Sequence, residues 1–114
     1  MSITILHNPR CSKSRQTLAL VEEQGAELTV REYLKEPLSA DELRQLIAAL
    51  GVTPIDLVRT KEDEFKLAGL TKESSADALI AAMVEYPKLM ERPVVINGDK
   101  ARIGRPPEQV LEIL

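Results

Sequence analysis

The feature that most constrains the fold is a short polar segment, His7–Arg15, that contains the only cysteine of the chain. Residues 3–7 alternate in hydrophobicity and predict a strand. Residues from Ser12 to Gln24 carry apolar side chains at helical spacing and predict a helix that ends at Gly25. The segment therefore predicts a turn from a strand into a helix, with Cys11 at the helix N-terminus.

The elements that follow predict a parallel pair of strands and then a helical stretch. Residues 28–33 predict a second strand, and a strand-helix-strand order implies a right-handed crossover. Ser39 and Glu42 have the spacing of a capping box and open a helix that ends at Gly51. Further helical segments are predicted from Thr53, over Glu62–Leu67, and from Ser74 or Ser75 through Glu85.

The C-terminal part predicts a hairpin and a last helix. Asn97-Gly98 stands between two apolar runs over residues 93–103, a strong hairpin signal, and a helix is expected to end at Leu114. The whole order is βαβ, a helical insertion, then ββα. This predicts one α/β domain over residues 1–114 with a mixed sheet, and a cysteine after its first strand is typical of a thioredoxin/glutaredoxin-like fold.

Composition and charge narrow the classes of partner. The 114 residues have a net charge of −3, which disfavours nucleic acid, whereas arginines that recur beside turns suggest a small anion. The chain has no apolar run of membrane-spanning length and no signal peptide pattern at Met1, so neither a membrane partner nor export is expected and the predicted location is cytoplasmic. One cysteine and one histidine predict neither a disulfide nor a metal site.

Cys11 is the candidate nucleophile. The N–H groups and dipole of a helix N-terminus favour an anion, and Arg10, Lys13 and Arg15 add positive charge, so the thiol is expected to ionise readily. A lone cysteine is more often a small buried hydrophobe. Its polar neighbours here favour the functional interpretation.

Two neighbours of Cys11 could assist the thiolate. Ser14 replaces the second cysteine of a Cys-x-x-Cys redox motif and could donate its hydroxyl to Cys11, or could simply begin the helix. His7 could stabilise the thiolate as imidazolium, or could bond only to backbone. Because no other cysteine exists, any adduct on Cys11 needs an external thiol. Thr17 occupies the position that a Cys-x5-Arg phosphatase motif would give to arginine, which disfavours a low-molecular-weight tyrosine phosphatase.

Arginines near the hairpin could bind an oxyanion. The Arg92-Pro93 bond is predicted to be cis at the loop that faces the cysteine in a thioredoxin-like sheet. Arg105 follows the hairpin and could return to the same edge, where a planar guanidinium suits a tetrahedral oxyanion. Arg59 has the weakest support from the sequence. The alternative for each arginine, Arg15 included, is an ordinary solvated charge.

The chain resembles the ArsC family of glutaredoxin-dependent arsenate reductases, and in particular its YfgD-like branch. The resemblance covers essentially the whole chain and rests on three blocks, His7–Arg15, Glu91–Val95 and Arg102–Pro106. It implies a thioredoxin-like fold with a helical insertion, Cys11 as the nucleophile, and His7 and Ser14 as residues that lower its pKa. It also implies that Pro93 is the family's cis-proline and that the oxyanion ligands are Arg59, Arg92 and Arg105.

The mechanism implied by the resemblance is a relay of thiols with no bound cofactor. The Cys11 thiolate bonds to arsenic, glutathione acts as co-substrate by attacking the adduct, and glutaredoxin reduces the mixed species to release arsenite. Two alternatives remain. One is a glutathione-linked thiol oxidoreductase with another substrate, and the other is an adaptor of the Spx type that binds RNA polymerase.

Overall fold

A computed structural model describes residues 2–25 and 27–114. Within these residues the chain divides into two compact units, one formed by the chain up to Glu36 together with Arg92–Leu114, and the other by Pro37–Glu91. The boundaries follow the predicted helical insertion. The single domain predicted over residues 1–114 stays a prediction.

The first unit is built on a four-stranded mixed sheet. Its strands in chain order are β1 (Ser2–Leu6), β2 (Glu27–Arg31), β3 (Val94–Asn97) and β4 (Lys100–Ile103). They lie in the order β2-β1-β3-β4, with β1 parallel to β2 and antiparallel to β3. The register pairs Ile5 with Val30 on one side and with Val95 on the other. This is the predicted α/β architecture.

One helix and a C-terminal 3₁₀ segment pack with this sheet. Helix α1 (Ser12–Glu23) follows β1, and a 3₁₀ helix covers Pro107–Ile113. Their buried side chains join those of β1 and β3 in an aliphatic cluster of Ile3, Ile5, Val21, Val95, Val110 and Ile113. Because β1 and α1 share this core, the turn that joins them has fixed ends.

The second unit is helical. It contains α2 (Ala40–Leu50), a 3₁₀ turn (Pro54–Leu57), α3 (Asp63–Leu67), α4 (Ala76–Glu85) and a 3₁₀ turn (Pro87–Leu89). The predicted capping box is present, since Ser39 Oγ accepts from the Glu42 N–H and Glu42 Oε1 accepts from the Ser39 N–H. Helix α4 packs against α2. No helix among the described residues has the length and apolarity needed to cross a membrane.

Two details of the C-terminal part differ from the prediction. The predicted hairpin is present, but Asn97 pairs with Lys100, so the loop between the strands is Gly98-Asp99 and not Asn97-Gly98-Asp99. Gly98 alone of the two has a positive φ, 64°, which fits a type II′ turn. The last helix ends at Ile113 and not at Leu114, and it is a 3₁₀ helix whose buried side chains, Pro107, Val110 and Ile113, recur every third residue, the period of a 3₁₀ helix.

Candidate functional site

A hydrogen-bonded turn presents Cys11 at the start of α1. Asn8 organises the turn, since its Oδ1 accepts from the Arg10 N–H at 3.0 Å and its carbonyl accepts from the Cys11 N–H at 3.0 Å. Arg15 Nη1 donates to the Pro9 carbonyl at 2.9 Å. Cys11 is the N-cap residue, in extended conformation, and its side chain makes no capping hydrogen bond. The thiol is therefore available for chemistry outside the helix.

The surroundings of Cys11 favour its ionised form. Partial burial raises the pKa of the thiol, but four other groups lower it by more, and the net direction is downward. These groups are the backbone N–H groups of Ser14 and Lys13 and the guanidinium groups of Arg92 and Arg105. The thiolate is the reactive form of cysteine, and nearby amide N–H groups and cations favour it.

Arg105 and Arg92 meet at the thiol. Arg105 Nη2 donates to Cys11 Sγ at 3.9 Å, and Arg105 Nε donates to the Arg92 carbonyl at 2.7 Å. Arg92 Nε and Nη1 are buried and have no hydrogen-bond partner among the described residues. Buried guanidinium nitrogens normally have partners, so this arrangement could accept an oxyanion beside the sulfur.

Ser14 acts on Cys11 through its backbone and not through its hydroxyl. The Ser14 side chain is fully buried. Its Oγ accepts from the Asn8 N–H at 3.0 Å and shares a hydrogen bond with His7 Nδ1 at 2.9 Å. The predicted hydroxyl donation to the thiolate is therefore not the contact observed, because the hydroxyl holds the turn together instead.

His7 is a buried partner of Ser14. The residue is 6% exposed. Burial lowers the pKa of His7, Glu32 raises it and Arg15 lowers it, and the net direction is downward. The neutral ring is thus favoured at neutral pH, which differs from the predicted imidazolium. The assignment of His7 and Ser14 as catalytic residues stays a prediction.

The Arg92-Pro93 bond is cis, the geometry predicted for it, and Arg105-Pro106 is also cis. The Pro93 carbonyl accepts from the Gly104 N–H at 2.8 Å. Sequence reasoning gave no role to Gly104. The sequence signal that could have indicated a role for this residue is a glycine placed between a strand and an arginine of the site.

Arg59 lies in the second unit, where it is ion-paired. Its Nη1 is 2.6 Å from Glu62 Oε1, and its N–H donates to the Leu89 carbonyl. Lys88 Nζ lies 3.6 Å from the other oxygen of Glu62. Sequence reasoning missed Glu62, although a carboxylate three residues after an arginine was a signal. Arg59 as an oxyanion ligand stays a prediction.

The described His, Cys, Asp and Glu side chains form no group of three or more that could hold a metal ion. The residues that the structure brings together are Cys11, Ser14, His7, Arg92 and Arg105. Together they offer a thiolate nucleophile and adjacent guanidinium groups for an anion.

Comparison with known proteins gives a family and close relatives. The model of the ArsC family matches residues 6–113. A protein named YfgD from Escherichia coli strain K12 is 55% identical over 98% of this chain and 96% of its own. A protein from Haemophilus influenzae named arsenate reductase is 47% identical over the full length of both chains.

The solved structures agree with the fold. A structure named arsenate reductase from Vibrio cholerae has a TM-score of 0.95 and 52% identity, and the match covers 100% of this chain and 98% of that one. This similarity confirms the thioredoxin-like fold predicted from the sequence. It also extends over both compact units, so the helical insertion belongs to the shared fold.

Proposed function

The chain belongs to the ArsC family, and from this premise we propose that it is an arsenate reductase in which Cys11 is the nucleophile. The observation that carries the proposal is the pairing of a thiol of lowered pKa with two guanidinium groups, one of which has buried nitrogens without a partner among the described residues. The relatives named arsenate reductase support the choice of oxyanion.

The first step is attack of the Cys11 thiolate on arsenate. An S–As bond forms and one arsenate oxygen leaves as water, so arsenic keeps its oxidation state. Arg92 and Arg105 bind the remaining oxygens and offset the charge that accumulates as an anionic thiolate meets an anionic substrate. Arg59 is assigned as a third ligand from the family resemblance.

The reduction needs two electrons that this chain does not supply. Cys11 is the only cysteine, so no internal thiol can form a disulfide with it. Glutathione, as co-substrate, bonds through its sulfur to the arsenic of the adduct, and a second arsenate oxygen leaves as water. A glutaredoxin thiol then takes that sulfur in a disulfide, arsenic gains the electron pair, and hydrolysis releases arsenite and the Cys11 thiol. The chain would act without a bound cofactor, in the cytoplasm.

The test is arsenate-dependent oxidation of NADPH, coupled through glutathione reductase, glutathione and glutaredoxin. The wild-type chain should turn over, and Cys11→Ser should be inactive while keeping the same thermal unfolding curve. Replacing the glutathione and glutaredoxin system by thioredoxin and its reductase should abolish turnover. No arsenate turnover by a folded protein whose Cys11 is still alkylated rapidly would contradict the proposal.

A further inference from the structure

Gly104, the residue before Arg105, lies closer to α1 than a side chain would allow. A Cβ atom at this position would stand 2.6 Å from Thr17 Oγ1 and 2.9 Å from Pro93 Cγ. Non-bonded heavy atoms attract best at about 3.5–4.0 Å, so a methyl group does not fit unless its neighbours move. Gly104 is therefore required for space.

The other glycines are used differently. Gly25, Gly51, Gly69 and Gly98 have φ between 64° and 70°, and nothing lies within 4 Å of the Cβ that each would carry. They serve backbone conformations that favour glycine. Gly104 is the exception, because its neighbours and not its φ exclude a side chain.

Thr17 provides the other side of the contact. It is fully buried in α1, and its Oγ1 has no hydrogen-bond partner among the described residues. A buried hydroxyl without a partner costs free energy, so hydrogen bonding does not explain why a threonine is buried here. The packing of its side chain against Gly104 explains it.

The contact between Gly104 and Thr17 affects the backbone position from which the Arg105 side chain extends. The Gly104 N–H donates to the Pro93 carbonyl at 2.8 Å, and the Arg105 N–H donates to the Ile103 carbonyl at 3.0 Å. From this tight turn the Arg105 side chain reaches both the Arg92 carbonyl and, at 3.9 Å, Cys11 Sγ. Since 3.9 Å is near the limit of a hydrogen bond to sulfur, a shift of a few tenths of an ångström at Gly104 would change it.

We propose that Gly104 and Thr17 are positioning residues whose close contact holds the Arg105 guanidinium against the Cys11 sulfur. The inference deepens the proposed function and rests on it in assigning Arg105 to the reacting sulfur. Its test measures the thiol alone, so it can fail or succeed independently of arsenate turnover.

The experiment measures ionisation of Cys11 from its thiolate absorbance against pH, and its rate of alkylation by iodoacetamide at the pH where the wild-type thiol is half ionised. Gly104→Ala should raise the pKa. A rise of about half to one unit would slow alkylation by about two- to fivefold. Thr17→Ala in the Gly104→Ala background should bring these values back toward the wild-type ones, because it removes Oγ1 and Cγ2, although the contact with Pro93 Cγ at 2.9 Å remains.

Gly104→Ala should also be measured in the Arg105→Ala protein, because this shows whether Gly104 acts through Arg105. If Gly104 acts through Arg105, Gly104→Ala should have no further effect on the thiol once Arg105 is alanine. An unchanged pKa in Gly104→Ala, or the same rise in both backgrounds, would overturn the inference. Gly69→Ala is the matched control, since it strains a positive-φ glycine of the second unit and should leave alkylation unchanged.

A second pair of variants tests the same contact if Gly104→Ala does not fold. Thr17→Val keeps the shape of the side chain without its hydroxyl and should keep the wild-type pKa of Cys11. Thr17→Ala opens the contact and should raise that pKa. An equal rise in the two variants would assign the role to the hydroxyl, and no change in either would show that the contact does not act on the thiol; both outcomes would overturn the inference.

Discussion

The starts of α1 and α2 are built on opposite principles. Helix α2 begins with a reciprocal capping box and carries Asp41 and Glu42 in its first turn, where the helix dipole favours negative charge. Helix α1 begins at an uncapped cysteine, has no acidic residue in its first turn, and carries Lys13 and Arg15 there. The dipole disfavours these cations, so α1 loses stability at its N-terminus and α2 gains it.

The different starts of α1 and α2 serve different purposes, since one favours an ionised thiol and the other favours a stable helix. Helices α3 and α4 also have acidic first turns, so α1 is the exception among the described α-helices. No Asp or Glu occurs in residues 1–21, although the chain as a whole is acidic. An acid beside Cys11 would raise the pKa of the thiol. The start of α1 thus stabilises a thiolate instead of the helix.

The largest effect on activity is expected from the arginines that lie beside Cys11 at the start of α1. Arg92→Ala and Arg105→Ala should each lower kcat/KM for arsenate by about 100-fold, the typical loss on removing one group that stabilises developing charge. Steady-state kinetics and thermal unfolding should be measured together. Arg44→Ala is the matched control, because Arg44 pairs with Asp41 and Asp77 at the surface of the second unit. Full activity in both site variants would contradict the oxyanion site.

A smaller effect is expected from removing the cap of α2. Ser39→Ala removes the hydroxyl that accepts from the Glu42 N–H, while the bond from the Ser39 N–H to Glu42 Oε1 can remain, and should cost about 1 kcal/mol of the free energy of unfolding. The alkylation rate of Cys11 should not change. Urea unfolding and iodoacetamide kinetics would check the two halves of this prediction. A slower alkylation in Ser39→Ala would mean that the two helix starts are coupled.

At α1 a substitution is expected to increase stability and to make the thiol less acidic. Lys13→Glu places a carboxylate in the first turn, which should raise the free energy of unfolding by about 0.3–1 kcal/mol and also raise the pKa of Cys11. The same unfolding and alkylation measurements apply, with Lys66→Glu as the control at the C-terminal end of α3. If Lys13→Glu made the protein more stable and the thiol equally reactive, stability and chemistry would not be in conflict there.

The smallest effect concerns pH and His7. The folded protein keeps His7 neutral because burial lowers its pKa, whereas the unfolded chain takes up a proton near pH 6.5. The unfolded state then binds more protons, so stability should fall as the pH decreases below about 6.5. His7→Gln should flatten this decline in urea unfolding between pH 5 and 8. An unchanged slope would show that His7 is protonated equally in both states.

Local sequence rules predicted much of this molecule. The spacing of Ser39 and Glu42 predicted the start of α2, and Gly51 predicted its end. The alternation of apolar residues before His7 predicted the strand that leads to Cys11. These features depend on residues a few positions apart, where hydrogen bonds and side-chain spacing are fixed by the helix or strand itself. The cis bond at Pro93 was predicted from its place in the assumed fold.

Tertiary structure decided which atoms meet at the sulfur. Arg105 reaches Cys11 across 94 positions of sequence, and no local rule fixes such a distance. The Ser14 hydroxyl bonds to Asn8 and His7, so Ser14 assists the thiol through its backbone N–H and not through its hydroxyl. The sequence by itself determined that a lone cysteine begins a helix whose first turn is basic. Packing of distant segments, with Gly104 against Thr17, decided how its charge is stabilised.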